Sequence, residues 1–148
     1  VVALMGTFEI VRTVRASPER VFSVVGDLAA YGEFLPMTSI ETDAGTIAPG
    51  WHFTARTGPA PVRLVDRMRV SEWDPPRGFR VVKLGPVLDG WAQVHLTGEG
   101  ADTRVVWRER IVVRPVRIGG PLSRIYDPVN TWLFGRALDR MTLKVRGE

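Results

Sequence analysis

The sequence predicts an α+β fold: a curved, seven-stranded antiparallel sheet, two short helices between the first and second strands, and a long C-terminal helix across the concave face. Three observations predict it. Apolar and polar residues alternate with period two from about residue 37 to about residue 113, broken by a turn signal every eight to twelve residues. Two short capped helical segments precede that stretch. One amphipathic segment of about twenty residues, Asp127 to Arg146, follows it.

The elements follow in order. Residues 1–6 are expected to be a disordered N-terminal extension, because Val-Val-Ala-Leu-Met lacks the basic start and longer apolar run of a signal peptide. Thr7 to Val14 alternates Phe8, Ile10, Arg12 and Val14 against Thr7, Glu9, Val11 and Thr13, the pattern of a strand. Ser17-Pro18-Glu19 supplies an N-cap, a proline at the first helical position and a first-turn acid, so Pro18 to Val25 reads as a helix. Gly26 ends it. Asp27 caps a second helix, Leu28 to Leu35, and Pro36 closes it, since the residue before proline avoids the helical region. Strands follow near 37–43, 51–57, 62–73, 78–84, 91–97 and 103–113, and the short connections imply antiparallel neighbours. Arg114-Pro115 is expected to end the sheet. Asp127 then reads as an N-cap with Pro128 first in the closing helix. That helix, about 30 Å long, carries Asn130, Phe134, Ala137, Leu138, Met141 and Val145 on one stripe.

Composition narrows the chemistry. At 148 residues, 45% hydrophobic and 24% charged, the chain is sized for one domain with its own core. No apolar run reaches the length of a membrane span, so no stable membrane insertion and a cytoplasmic location are expected. The absence of cysteine removes disulfides, thiol nucleophiles and thiolate metal sites. Two histidines, His52 and His95, lack the spacing of a metal motif, so neither metal nor cofactor is expected. The net charge of +4 comes mostly from arginines that alternate along strands rather than gather in a patch, which argues against nucleic acid.

Five stretches carry a family resemblance: Ala16-Ser17-Pro18-Glu19-Arg20-Val21-Phe22; Tyr31-Gly32-Glu33-Phe34-Leu35-Pro36, with Tyr31 where Trp is more usual; Glu72-Trp73-Asp74-Pro75-Pro76-Arg77; Thr103-Arg104-Val105-Val106-Trp107; and Phe134-Gly135-Arg136-Ala137-Leu138. In this order they resemble the START-like helix-grip superfamily. That group includes polyketide cyclase/dehydrase and lipid-transport proteins, birch-pollen allergen relatives and coenzyme-Q-binding proteins. The resemblance covers nearly the whole chain and implies a cavity between sheet and closing helix.

In such a fold, strand parity decides which side chains line the cavity. Val105, Trp107, Glu109 and Ile111 share one face, with Arg104, Arg108 and Arg110 opposite; Leu64, Asp66, Met68 and Val70 share another, opposite Arg63, Arg67 and Arg69. Glu109 and Asp66 are therefore carboxylates among hydrophobes, the setting that makes general acids and bases. The plainer alternative is that each pairs with an arginine of the same sheet. Phe53, Met68, Trp107, Tyr126, Asn130 and Phe134 are the expected ligand contacts, with Tyr126 and Asn130 offering a hydroxyl and an amide near the start of the helix. His95 and His52 read as solvent-facing. The Gly85 to Gly90 connection, with an apolar tip, is expected to be a mobile lip. These residues predict a protein that binds a small hydrophobic or aromatic ligand, as a monomer or dimer. The family resemblance implies two alternatives: an aromatase/cyclase using Glu109 or Asp66 to move a proton and Tyr126 or Asn130 to steady an enolate oxygen, or a quinone- or lipid-binding chaperone without turnover.

Overall fold

The computed structural model describes residues 2–59, 63–116 and 123–147, and their side chains outside 2–5, 114–116, 123–131 and 133. The strands are β1 (Val2–Val14), β2 (Thr38–Thr42), β3 (His52–Thr57), β4 (Leu64–Asp74), β5 (Gly78–Leu84), β6 (Leu88–Glu99) and β7 (Asp102–Val116). Helix α1 (Pro18–Val25) and a 3-10 helix (Leu28–Glu33) lie between β1 and β2, and α2 (Ser123–Val145) closes the chain. One antiparallel sheet holds all seven strands in the order β1-β7-β6-β5-β4-β3-β2. Consecutive hairpins thus build the sheet from β2 to β7, and β1 returns to pair with β7.

Several boundaries differ from the sequence reading for identifiable reasons. Residues 2–6 are not a disordered extension: Leu4, Met5 and Gly6 pair with Val113, Val112 and Ile111. The apolar start is strand because β7 runs on to Val116 and offers it a ladder. Pro115 does not end the sheet, since the register shifts between Val2 and Leu4 opposite it, and such an irregularity absorbs a missing donor. The second helix is 3-10 and stops at Glu33 rather than Leu35. The start expected at residue 62 and the Gly119-Gly120-Pro121 linker lie outside the described residues. Helix α2 begins at Ser123, placing Pro128 inside it rather than at its first position. The cost is one hydrogen bond, to the carbonyl four residues earlier.

The core lies where α1 and α2 press on the sheet. Val21 and Val25 of α1 are buried with Ala137, Leu138, Met141 and Val145 of α2 and Val14, Val70, Val94 and Val105 of the sheet. This is the apolar stripe expected of the closing helix. Ser17 caps α1 by accepting from the Arg20 N–H at 3.3 Å. Polar ties fix α2 from outside: Arg12 Nε to Asp139 Oδ1 at 2.6 Å, and Arg20 Nε to the Val145 carbonyl at 2.8 Å. No described helix is long and apolar enough to cross a membrane.

Candidate functional site

Away from that core, the sheet and the layer over it enclose a cavity of about 260 Å³. Its floor is the inward parity of β3, β4, β5 and β7. Phe53, Met68, Val81, Trp107 and Ile111 bring apolar surface, and Asp66, Lys83 and Glu109 bring charge. Leu28 and Tyr31 of the 3-10 helix, Leu35-Pro36 and Phe134 of α2 supply the opposite wall. Trp107 stands between two rings, with centroids 6.0 Å from Tyr31 and 5.8 Å from Phe134. The volume falls just below the few hundred Å³ at the lower end of small-molecule pockets.

Phe53, Asp66, Met68, Trp107 and Glu109, by strand parity, and Phe134, from α2, line one cavity. The side chains of Tyr126 and Asn130 lie outside the described residues; their backbones belong to the first half of α2. His52 and His95 are exposed, away from the cavity lining. The Gly85–Gly90 lip is shorter than expected, because Leu88, Asp89 and Gly90 already belong to β6 and Leu88 is buried. Met37, Leu64, Leu84 and Val87 remain exposed at this end of the sheet.

The residue the sequence reading missed is Lys83. Its side chain is 4% exposed, and its Nζ lies 2.5 Å from Asp66 Oδ2 and 3.3 Å from Glu109 Oε1, with Met68 Sδ at 3.8 Å. The expected arginine partners are thus corrected to one lysine shared by both carboxylates. A signal was available: Phe79, Val81 and Lys83 alternate on β5 as Val105, Trp107 and Glu109 do on β7.

The register explains how Lys83 reaches both. On β4 it pairs with Met68, which puts Asp66 on the adjacent diagonal. On the other side β6 separates β5 from β7, a gap of two strand spacings or about 10 Å. Lys83 faces Gly90, and Glu109 faces Ala92. With no side chain at one position and a methyl at the other, the lysine and the glutamate meet across β6. Gly90 must also be glycine: its φ is +120°, and a Cβ there would stand 1.9 Å from the Arg110 carbonyl oxygen.

Burial alone would lower the Lys83 pKa, but the charges of Glu109 and Asp66 and their hydrogen bonds outweigh it and push it up to about 12. Burial pushes the Glu109 carboxyl above its ordinary range, against the pull of Lys83 and of Trp107. The two directions oppose each other, since a neutral Glu109 holds Lys83 less firmly. The charged Lys83 stands regardless, because Asp66 alone offers it a carboxylate at 2.5 Å. Trp107 Nε1 donates to Glu109 Oε2 at 3.1 Å, so both Glu109 oxygens face donors. Asp66 differs: its Oδ1 is buried with no hydrogen-bond partner among the described residues. Tyr31 donates its hydroxyl to the Val25 carbonyl, and burial, with Glu109 and Asp27 nearby, raises its pKa. Among the described residues no three His, Asp or Glu side chains gather as metal ligands would.

The model of the family described as polyketide cyclase / dehydrase and lipid transport matches residues 5–146. No curated protein sequence matches significantly. Among solved structures, the chain is similar to TTHA0849 from Thermus thermophilus, with TM-score 0.81 and 18% identity over 96% of this chain and 98% of that one. It is similar to the Zhui aromatase/cyclase from Streptomyces sp. R1128, with TM-score 0.75 and 16% identity over 96% and 94% of the two chains. It is also similar to Ara h 8.0201, with TM-score 0.69 and 14% identity over 97% and 99%. At these identities the likeness is one of fold.

Proposed function

We propose, from the premise that the chain belongs to the polyketide cyclase / dehydrase and lipid transport family, that it binds one small, largely apolar molecule with a polar end against Lys83, Asp66 and Glu109. The observation that carries this reading is the cavity itself: aromatic and aliphatic on most sides, with its ionisable groups tied together on one wall. Apolar surface with a few placed polar groups is how small-molecule sites gain affinity and orientation together. The exposed apolar residues at the same end of the sheet give such a ligand a route in.

Ala92 provides the test. It lines the cavity between Val81 of β5 and Glu109 of β7, so Ala92→Trp carries an indole into that space. Wild-type and variant chains are exposed to cell extract, repurified, and extracted for mass spectrometry. The expected outcome is a small molecule retained by the wild type and absent from the variant. If neither chain retains anything, or both retain the same molecule, the cavity is not the binding site.

A second reading, aldol cyclisation and dehydration of a poly-β-keto chain, draws support from the same wall. Glu109, which burial favours in its protonated form, would move the proton. The Lys83 ammonium would lie near the oxygen of a developing enolate, and Tyr126 or Asn130 are the sequence's candidates to steady it. Binding without turnover is favoured, because Lys83 already has three acceptors for its three N–H groups.

A further inference from the structure

Helix α2 has a second face that the cavity does not use. Phe134, Leu138, Met141 and Val145 point into the protein. At 100° per residue, Trp132, Arg136, Arg140, Leu143 and Lys144 fall on the opposite side within about a quarter-turn, and all five are exposed. Two of them are large and apolar: Trp132 is 59% exposed and Leu143 45%. They stand about three turns apart, roughly 16 Å along the axis, and nearly in line, so a flat surface can meet both at once. The rest of the face is basic. The Arg136 guanidinium lies 5.2 Å from the centre of the Trp132 ring. The acid on this face, Asp139, is tied to Arg12 at 2.6 Å, and Lys144 is tied to Glu33 at 3.2 Å. Past the helix end the positive charge continues: Arg15, Arg20 and Arg146 line a surface cleft with Ala16, Ser17 and Val145, and none of these described lining residues is acidic.

We propose that this face of α2 docks on an anionic lipid surface, lying on it rather than spanning it. Trp132 and Leu143 enter the headgroup layer, where the amphipathic indole of tryptophan is enriched. Arg136 and Arg140 beside them, with the arginine cleft at the helix end, meet the lipid phosphates and carboxylates, and each basic residue near such a surface adds attraction. The arrangement favours this occupant over two others. A second copy of the chain, docked face to face, would set arginine against arginine. An acidic protein would match the arginines but would need two separate apolar pockets, about 16 Å apart, for Trp132 and Leu143. A lipid surface needs neither. Docking through this face is independent of what the cavity holds.

Co-sedimentation of the full chain with vesicles tests the proposal, using phosphatidylcholine alone and with about one-third phosphatidylserine, at low salt and at about 0.5 M. Partition to the anionic vesicles should be at least about tenfold stronger at low salt and should weaken at high salt. Arg136→Glu with Arg140→Glu should abolish that preference. Arg67→Glu with Arg69→Glu makes the same change of net charge on exposed residues of β4 and should leave most of it. Trp132→Gln removes no charge and should weaken binding to anionic vesicles about fivefold or more. All these side chains are exposed, so Tm should be unchanged; where a glutamate pair unfolds the chain, the glutamine pair carries the same test. Equal partition to neutral and anionic vesicles, the same loss from both arginine pairs, or no loss in Trp132→Gln each overturns the proposal. Binding to poly-glutamate as tight as to anionic vesicles assigns the face to an acidic polypeptide instead. A dimer in sedimentation velocity that Trp132→Gln dissolves assigns it to a second copy.

Discussion

Replacing Lys83 with methionine tests whether the ammonium is the charge that lets two carboxylates remain inside. Methionine follows the lysine stem closely in volume, so little packing is lost. What is lost is the cation at 2.5 Å from Asp66 and 3.3 Å from Glu109. Removing one partner of a buried ion pair costs about 3–5 kcal/mol, because the other charge is left uncompensated. With a urea m-value of about 2 kcal/mol/M, that is a fall in the unfolding midpoint of roughly 2 M at pH 7. The sign of the pH dependence follows from the carboxyls. Without Lys83, the pull that opposes burial at Glu109 is gone, and its folded-state pKa rises further above the ordinary 4.5. A group whose pKa is raised by folding contributes stability below its unfolded pKa and loses it as pH rises through the folded one. The deficit relative to wild type should therefore be small at pH 4 and widen toward pH 7. Urea titrations followed by tryptophan fluorescence at both pH values measure it. The triple variant Lys83→Met, Asp66→Asn, Glu109→Gln carries no charge in the site and should recover most of the loss, since neighbours in one network are not additive. A cost below about 1 kcal/mol at pH 7, or one that does not change with pH, would refute Lys83 as the compensating charge.

Two other outcomes follow from the same site. Gly90→Ala should lower stability by about 3 kcal/mol or more, through both the forced φ and the contact with the Arg110 carbonyl. Gly45→Ala, with φ +84° but nothing within 4 Å, isolates the backbone term and should cost about 1–2 kcal/mol; equal Tm losses for the two variants would show that the close approach of β6 to β7 is unimportant. At the alkaline end, Tyr31 and Lys83 both have pKa values raised by folding, from 10.0 and 10.5 in the unfolded chain. Their contribution is complete below pH 10 and is lost as pH climbs, with Lys83 accounting for roughly 2 kcal/mol by about pH 12. Urea midpoints should fall between pH 10 and 12 in the wild type and fall less in Lys83→Met.

Strand parity made most of the cavity floor readable from the sequence. Trp107 and Glu109 had to share a face with Val105 and Ile111 because side chains alternate, and the bulk of those neighbours marked the inner side. Lys83 escaped because it stands one residue from Leu84 and the Gly85-Pro86 turn, where a long cation ordinarily reaches water. Burial of Leu88 and Met68 around it, which no local pattern reveals, keeps its side chain at 4% exposure. The helix start was misplaced for a related reason. Asp127-Pro128 is a strong capping signal, but a proline a few residues into a helix forfeits one bond, and the chain tolerates it. At the N-terminus, an edge strand paired with β7 looks in sequence like a disordered extension, because Met5 finds its ladder partner, Val112, more than a hundred residues away in the chain.

The ionisable residues alone do not make this site; the small residues of β6 do. Asp66 and Lys83 lie on adjacent strands and could meet in any antiparallel pair, but Glu109 is two strands from Lys83. Their approach exists only because β6 presents Gly90 and Ala92 between them. A slip of one residue between β5 and β6 would turn Lys83 out to water and bring Val82 or Leu84 in, leaving both carboxylates unpaired. The polar wall thus penalises the wrong register as strongly as it favours the right one. In an apolar cavity that a hydrophobic ligand must enter, packing on the floor is incomplete, and a charge tie spanning β4 to β7 holds that part of the sheet in place where side-chain contacts cannot.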